Sequence, residues 1–276
     1  MDNLRLHRFT VVVAVCTFLL VVAGSLVTST DAALSVPDWP LSYGRLVPPL
    51  EGGIRYEFAH RALAALVAVL TITLAVWMER AEPRRWMRRL GWTAVAAVLA
   101  QAALGGAAVR LFTPKSVTIA HACLAQICFG LVVAIAAGQT MRAPATPWAL
   151  ETPAPLIATV VLFGQTALGA MVRYGATGVA YHMIGAAVAT ILVMWAGLRI
   201  PLQRPALALL TLTFSQVFLG LGAYMARVVN SLTTPQPMPL TIWFTTAHVA
   251  VGSLAFGAAI VYTMAGPVAH GGVALA

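Results

Sequence analysis

Long apolar runs, separated by short charged or proline-containing segments, make up nearly all of the 276-residue chain. Eight of them predict helices over residues 9–29, 56–80, 90–110, 117–140, 153–173, 179–199, 205–227 and 240–265. Each is close to the roughly 20 residues that an α-helix needs to cross about 30 Å of hydrocarbon. The runs are continuous rather than alternating, and rich in Ala and Leu, which argues against membrane strands. The expected fold is an all-α membrane protein with eight transmembrane helices.

Composition agrees. Hydrophobic residues make up 60% of the chain and charged residues 9%, with a mean hydropathy of +0.87. A soluble domain carries roughly 25% charged residues, so soluble, disordered and coiled-coil classes are excluded. The net charge of +9 lies in the loops between spans, so it reads as a topology signal and not as a nucleic-acid surface. Ten basic residues fall on one side: Arg5, Arg8, Arg80, Arg84, Arg85, Arg88, Arg89, Arg142, Arg199 and Arg204. Six fall on the other: Arg45, Arg55, Arg110, Lys115, Arg173 and Arg227. The positive-inside rule then predicts a multi-pass protein of the cell membrane, with both termini cytoplasmic and loops 30–55 and 228–239 outside. Cys16, Cys123 and Cys128 lie within apolar runs without a CxxC pair, so neither a disulfide framework nor a zinc site is expected. No cleavable signal peptide is apparent.

Three odd-numbered spans carry one phrase near their outer ends: Gln101-Ala-Ala-Leu-Gly105, Gln165-Thr-Ala-Leu-Gly169 and Gln216-Val-Phe-Leu-Gly220. The first span has a degenerate copy at Gly24, with Leu20 in place of the glutamine. Each following even-numbered span carries a histidine: His60, His121, His182 and His248, at intervals of 61, 61 and 66 residues. A helical hairpin used four times predicts two similar halves, 1–141 and 142–276, related by an axis along the membrane normal. The glycines suit close helix packing. The glutamines suit a hydrogen bond either across helices or to a buried cofactor.

The four histidines fall at a similar depth, each within about two turns of the outer end of its helix. Ionisable groups inside a membrane point to function. Two imidazoles on facing helices at equal depth clamp one haem iron, and four suit two haem sites, one per half. A metal-ion pathway would want carboxylates beside the imidazoles, and three of the four have none. His7 and His270 are expected to be terminal and solvated.

The halves differ in one respect. Glu57, His60 and Arg61 share one helix face, whereas Thr118, Val179 and Thr245 stand three residues before the other histidines. This predicts a reaction centre in the first half and a plain cofactor site in the second, unless Glu57–Arg61 is a structural ion pair at the helix entrance. The first outer loop, with Pro37-Asp38-Trp39-Pro40-Leu41 and Pro48-Pro49, suits a cap over a hydrophobic ligand or an interfacial anchor through Trp39 and Tyr43.

Pro37-Asp-Trp-Pro-Leu41, Glu57-x-x-His60-Arg61 and the Gln-x-x-Leu-Gly hairpins together resemble the haem A synthase family, along essentially all eight spans. The resemblance implies a membrane enzyme that oxidises the C8 methyl of haem O to a formyl group, by successive hydroxylations and loss of water, giving haem A for cytochrome oxidase. It implies His60 and His121 as ligands of the substrate haem, His182 and His248 as ligands of a resident haem b, and Glu57 as the acidic residue of the chemistry. Arg61, Arg110, Arg173 and Arg227 are candidates for haem propionates or for lipid headgroups. Many members carry a cysteine pair where this chain has Ser35 and Ser42. Expected partners are haem O, delivered by a haem O synthase, an unidentified electron donor, membrane lipid and further copies of the chain. A dihaem b-type electron carrier linked to quinol, or a haem transporter, shares the four-histidine pattern.

Overall fold

The computed structural model describes residues 2–140, 153–199, 204–229 and 236–265. Eight α-helices follow in order: α1 Asp2–Ser29, α2 Ile54–Ala81, α3 Arg85–Arg110, α4 Lys115–Thr140, α5 Ala154–Arg173, α6 Val179–Arg199, α7 Arg204–Tyr224 and α8 Pro239–Ala265. A π-helical turn, Met225–Val229, extends α7. All eight helices are long and apolar enough to cross a membrane, and no strand occurs among the described residues. Arg142, His270, the predicted division at 141/142 and the side chain of Arg199 lie outside what is described.

α1 begins seven residues before the apolar run, and α3 five before. Hydropathy ends at the first arginine, but the backbone ladder continues into the headgroup layer, where arginine stems lie along the helix. This overturns one expectation. His7 is not a solvated terminal residue; it is on α1, partly buried, with its Nδ1 enclosed and without a hydrogen-bond partner among the described residues. It lines a lipid-depth groove of about 450 Å³ together with Val11, Phe18, Phe129 and Leu254.

α1–α4 pack as one four-helix unit and α5–α8 as another, with α4 and α8 adjacent where the units meet. Each unit is closed, in the half away from the histidines, by apolar side chains. Val13, Leu74, Met78, Met87 and Ile135 fill the first; Ala158, Val193, Ala196, Leu209 and Tyr262 fill the second. Without a hydrophobic drive between helices in lipid, such packing and interhelical hydrogen bonds hold the bundle. Tyr262 donates to the Ala196 carbonyl at 2.9 Å.

The seam between the units is reciprocal. Five residues beyond His121 and His248, Gln126 Nε2 donates to Ser253 Oγ at 2.9 Å. Eight and nine residues beyond, the Phe129 ring stands against Gly257 and the Phe256 ring against Gly130. Phe18 meets Phe129, and Phe163 meets Phe256, each at 5.9 Å between ring centres. The internal repeat thus appears as an internal two-fold arrangement. Cys16, Cys123 and Cys128 are free thiols.

The turn between α2 and α3 is tied by Glu82. Its carboxylate receives Arg84 Nε at 2.7 Å and Nη2 at 3.0 Å, and Arg84 Nη1 reaches the Gly138 carbonyl of α4 at 2.8 Å. The hydrogen bonds from Arg84 hold the Glu82 carboxyl below its ordinary value of 4.5.

Candidate functional site

In every hairpin the glycine of the odd helix makes the slot for the imidazole of the even one. A methyl group on Gly24, Gly105, Gly169 or Gly220 would lie 3.1, 3.1, 3.1 or 3.0 Å from Cε1 of His60, His121, His182 or His248. Such approaches are too tight for an unshifted ring, so glycine is required for the ring's position. The glutamine one turn earlier ties the same two helices together. Gln101, Gln165 and Gln216 donate Nε2 to the backbone carbonyls of His121, His182 and His248 at 2.9, 2.8 and 2.8 Å. Gln165 Nε2 also lies 2.9 Å from His182 Nδ1. The glutamines therefore hydrogen-bond across helices, the first of the two roles expected of them. At Leu20 this tie is missing.

The rings come together in pairs. His182 and His248 face each other edge to face, with ring centres 6.1 Å apart and planes at 89°. His121 is the histidine nearest in charge to His60, as His182 is to His248. Among the described residues no group of three or more His, Cys, Asp and Glu side chains gathers as a metal cluster.

The surroundings of the two couples differ. Glu57 is 5% exposed and both of its oxygens are engaged. Oε1 pairs with Arg61 Nη2 at 2.6 Å, and Oε2 receives the Val36 N–H at 2.9 Å. Arg61 also donates to the carbonyls of Val36, Asp38 and Leu41 at 2.9, 2.7 and 3.2 Å. The ion pair foreseen at the helix entrance is present, and it clasps the outer loop onto α2. Within that loop the Asp38 carboxylate receives the N–H groups of Tyr43 and Gly44 at 2.6 and 2.8 Å. These bonds, Gly44's first, hold its carboxyl below the ordinary value. Tyr43 donates its hydroxyl to the Ser35 carbonyl at 2.7 Å. Ser42 and Arg45 pair through their backbones at 2.9 and 3.1 Å. The loop is fastened by hydrogen bonds at Ser35 and Ser42. Trp39 rests on Gly106, where an added methyl would meet the indole at 2.9 Å.

At the second couple, Thr245 occupies the position of Glu57. Its hydroxyl meets that of Ser29 at 2.8 Å, and Arg173 Nη2 reaches Ser29 Oγ at 3.2 Å. Arg227, on the π turn, is a charge neighbour of Arg173, as is Asp31. The four arginines therefore divide: Arg61 is committed to the loop, Arg110 is exposed, and Arg173 and Arg227 converge at the outer rim of the second half.

Two features were missed in the sequence. The seat of Trp39 is signalled only by the doubled glycine at 105–106, and its occupant is 67 residues away. The Phe–Gly seam is signalled by equal offsets from His121 and His248, which become visible once those histidines are superposed.

Comparison with known proteins bears on this constellation. A family model described as "Cytochrome oxidase assembly protein" matches residues 7–55 and 54–189. The chain belongs to this family. A Heme A synthase of Symbiobacterium thermophilum is 34% identical over 129 residues, covering 45% of this chain and 42% of the relative. One of Chelativorans sp. is 32% identical over 146 residues, covering 49% and 40%. One of Lysinibacillus sphaericus is 31% identical over 134 residues, covering 48% and 44%. Each match thus spans less than half the length of the relative. The family membership and the eight apolar helices make this a multi-pass membrane protein.

Proposed function

We propose that the chain is a haem A synthase of the cell membrane, oxidising the C8 methyl of haem O to a formyl group, with both termini cytoplasmic. The observation that carries the reading is the His182–His248 couple. Two metal–nitrogen bonds of about 2.0 Å, and about 1.2 Å from each nitrogen to its ring centre, put two ring centres about 6.4 Å apart across one iron. The observed 6.1 Å fits, and the glycine slots hold the rings there before any iron is present. The helix carbonyls of Leu20, Gln101, Gln165 and Gln216 lie beside the rings of His60, His121, His182 and His248.

In this reading residues 1–141 hold the substrate between His60 and His121, and residues 142–276 hold a resident haem b between His182 and His248. The haem groups, when bound, supply the redox chemistry. The protein supplies position, field and closure. Glu57 is the one carboxylate beside a histidine couple. Its carboxylate is held by Arg61 and by the Val36 N–H, which ties this acid to the outer loop. Trp39 on Gly106 roofs the first half against water. Arg173 and Arg227 present two guanidiniums to carboxylates at the rim of the second half.

The test is to purify the full chain, load it with haem O, and identify the extracted haems by mass. The formyl product beside haem b supports the proposal. Unchanged haem O beside a quinol-reducible haem b means an electron carrier instead.

A further inference from the structure

We propose that His60 is the ligand that lets go of the substrate iron, and that the outer loop 30–53 governs its release. This rests on the haem reading above. Four repeat-related histidines have the same glycine slot, but not the same restraint. At His121, His182 and His248 a glutamine on the partner helix of the hairpin holds the backbone carbonyl of the histidine turn. At His60 the equivalent residue is Leu20, whose side chain has no polar atom to offer the carbonyl of the histidine turn.

The His60 turn is held from another direction. Its neighbours Glu57 and Arg61, paired with each other on α2, bind Val36, Asp38 and Leu41 of the outer loop through four hydrogen bonds. Three histidine turns are thus anchored to helices, and one is anchored to a loop. A helix-anchored ligand moves only with its bundle. A loop-anchored ligand moves when the loop lifts, as it must for a porphyrin to enter beneath Trp39. Release breaks the coordinate bond at His60 Nε2 with its electron pair remaining on nitrogen, and no electron changes hands. An open iron position then arises at the first couple alone, while the second stays six-coordinate and suited to electron relay.

Carbon monoxide, which binds a ferrous haem only at an open position, is the probe. In dithionite-reduced full-length protein loaded with haem O, one haem should bind it and the haem b should not. Leu20→Gln installs the missing tie and should slow that binding about fivefold, the factor carried by one net hydrogen bond. Arg61→Gln frees the loop and should speed it. If Leu20→Gln does not fold, Gln165→Leu gives the reciprocal test, since haem b should then become reactive to carbon monoxide. Unchanged rates in Leu20→Gln with haem O bound, or an unreactive haem b in Gln165→Leu, would overturn the proposal. Carbon monoxide binding to haem b of the unaltered protein would do so too. Protein that retains no haem at all would instead overturn the functional reading.

Discussion

A glycine in a membrane helix usually signifies close packing; opposite an imidazole it decides where the ring stands. Gly169 and Gly220 leave their histidine rings about 3 Å from the place a methyl group would occupy. Gly169→Ala or Gly220→Ala should therefore push a ring off its axis, with a strain of about 1–3 kcal/mol. The expected result is loss of most low-spin haem b absorbance per protein, with the helix content unchanged by circular dichroism. Glu57 makes a second prediction at this scale. Glu57→Ala removes the acceptor of Val36 and Arg61 but touches nothing in the second half, so haem b should stay bound while haem A formation stops. Haem analysis by mass, beside the absorption spectrum, checks both parts. The histidines were legible in the sequence because their spacing repeats. The ring slots were not, since a Gly-x-x-x pattern does not reveal which side chain faces it.

Among elements, the eight spans were legible from apolar length, and errors gathered where charge begins. The turn from α2 to α3 explains why. Arg84 counted in the sequence only as a loop charge and Glu82 gave no signal, yet Glu82 is 6% exposed and joins two helices to α4 through Arg84. Charge alone carries no information on whether a partner folds over it. Because Arg84 lowers the Glu82 carboxyl in the folded protein, the pair stabilises the fold above the ordinary value of 4.5. That contribution fades as pH falls through the lowered folded value. Glu82→Gln should melt at a lower temperature than the parent at pH 7, and the gap should close as the pH is brought below 4. Thermal melts in detergent across that range measure it.

For the whole molecule, the internal two-fold is a packing device as well as a trace of the repeat. Phe129 and Phe256 each enter a space left by a glycine on the opposite helix, about 12 Å along the helix from the histidines at 1.5 Å per residue. The repeat in the sequence implied two similar halves but not how they join, because the contacts lie 126 and 128 residues apart and use Phe and Gly, which are common in any membrane helix. The two sides are not equally full. An added methyl at Gly130 would meet Ile260 at 2.8 Å and Phe256 at 3.0 Å, whereas at Gly257 it would meet Phe129 at 3.2 Å and Val133 at 3.7 Å. The difference follows from Ile260 standing where the first half has the smaller Val133. Gly130→Ala should therefore destabilise the protein by about 1–3 kcal/mol, the usual cost of overpacking, and Gly257→Ala by clearly less. Since the seam is well below the imidazoles, both variants should keep the haem b spectrum while their melting temperatures separate in that order. Equal melting temperatures would mean that the α4–α8 contact yields as a whole, and that the seam does not hold the two histidine couples in a fixed relation.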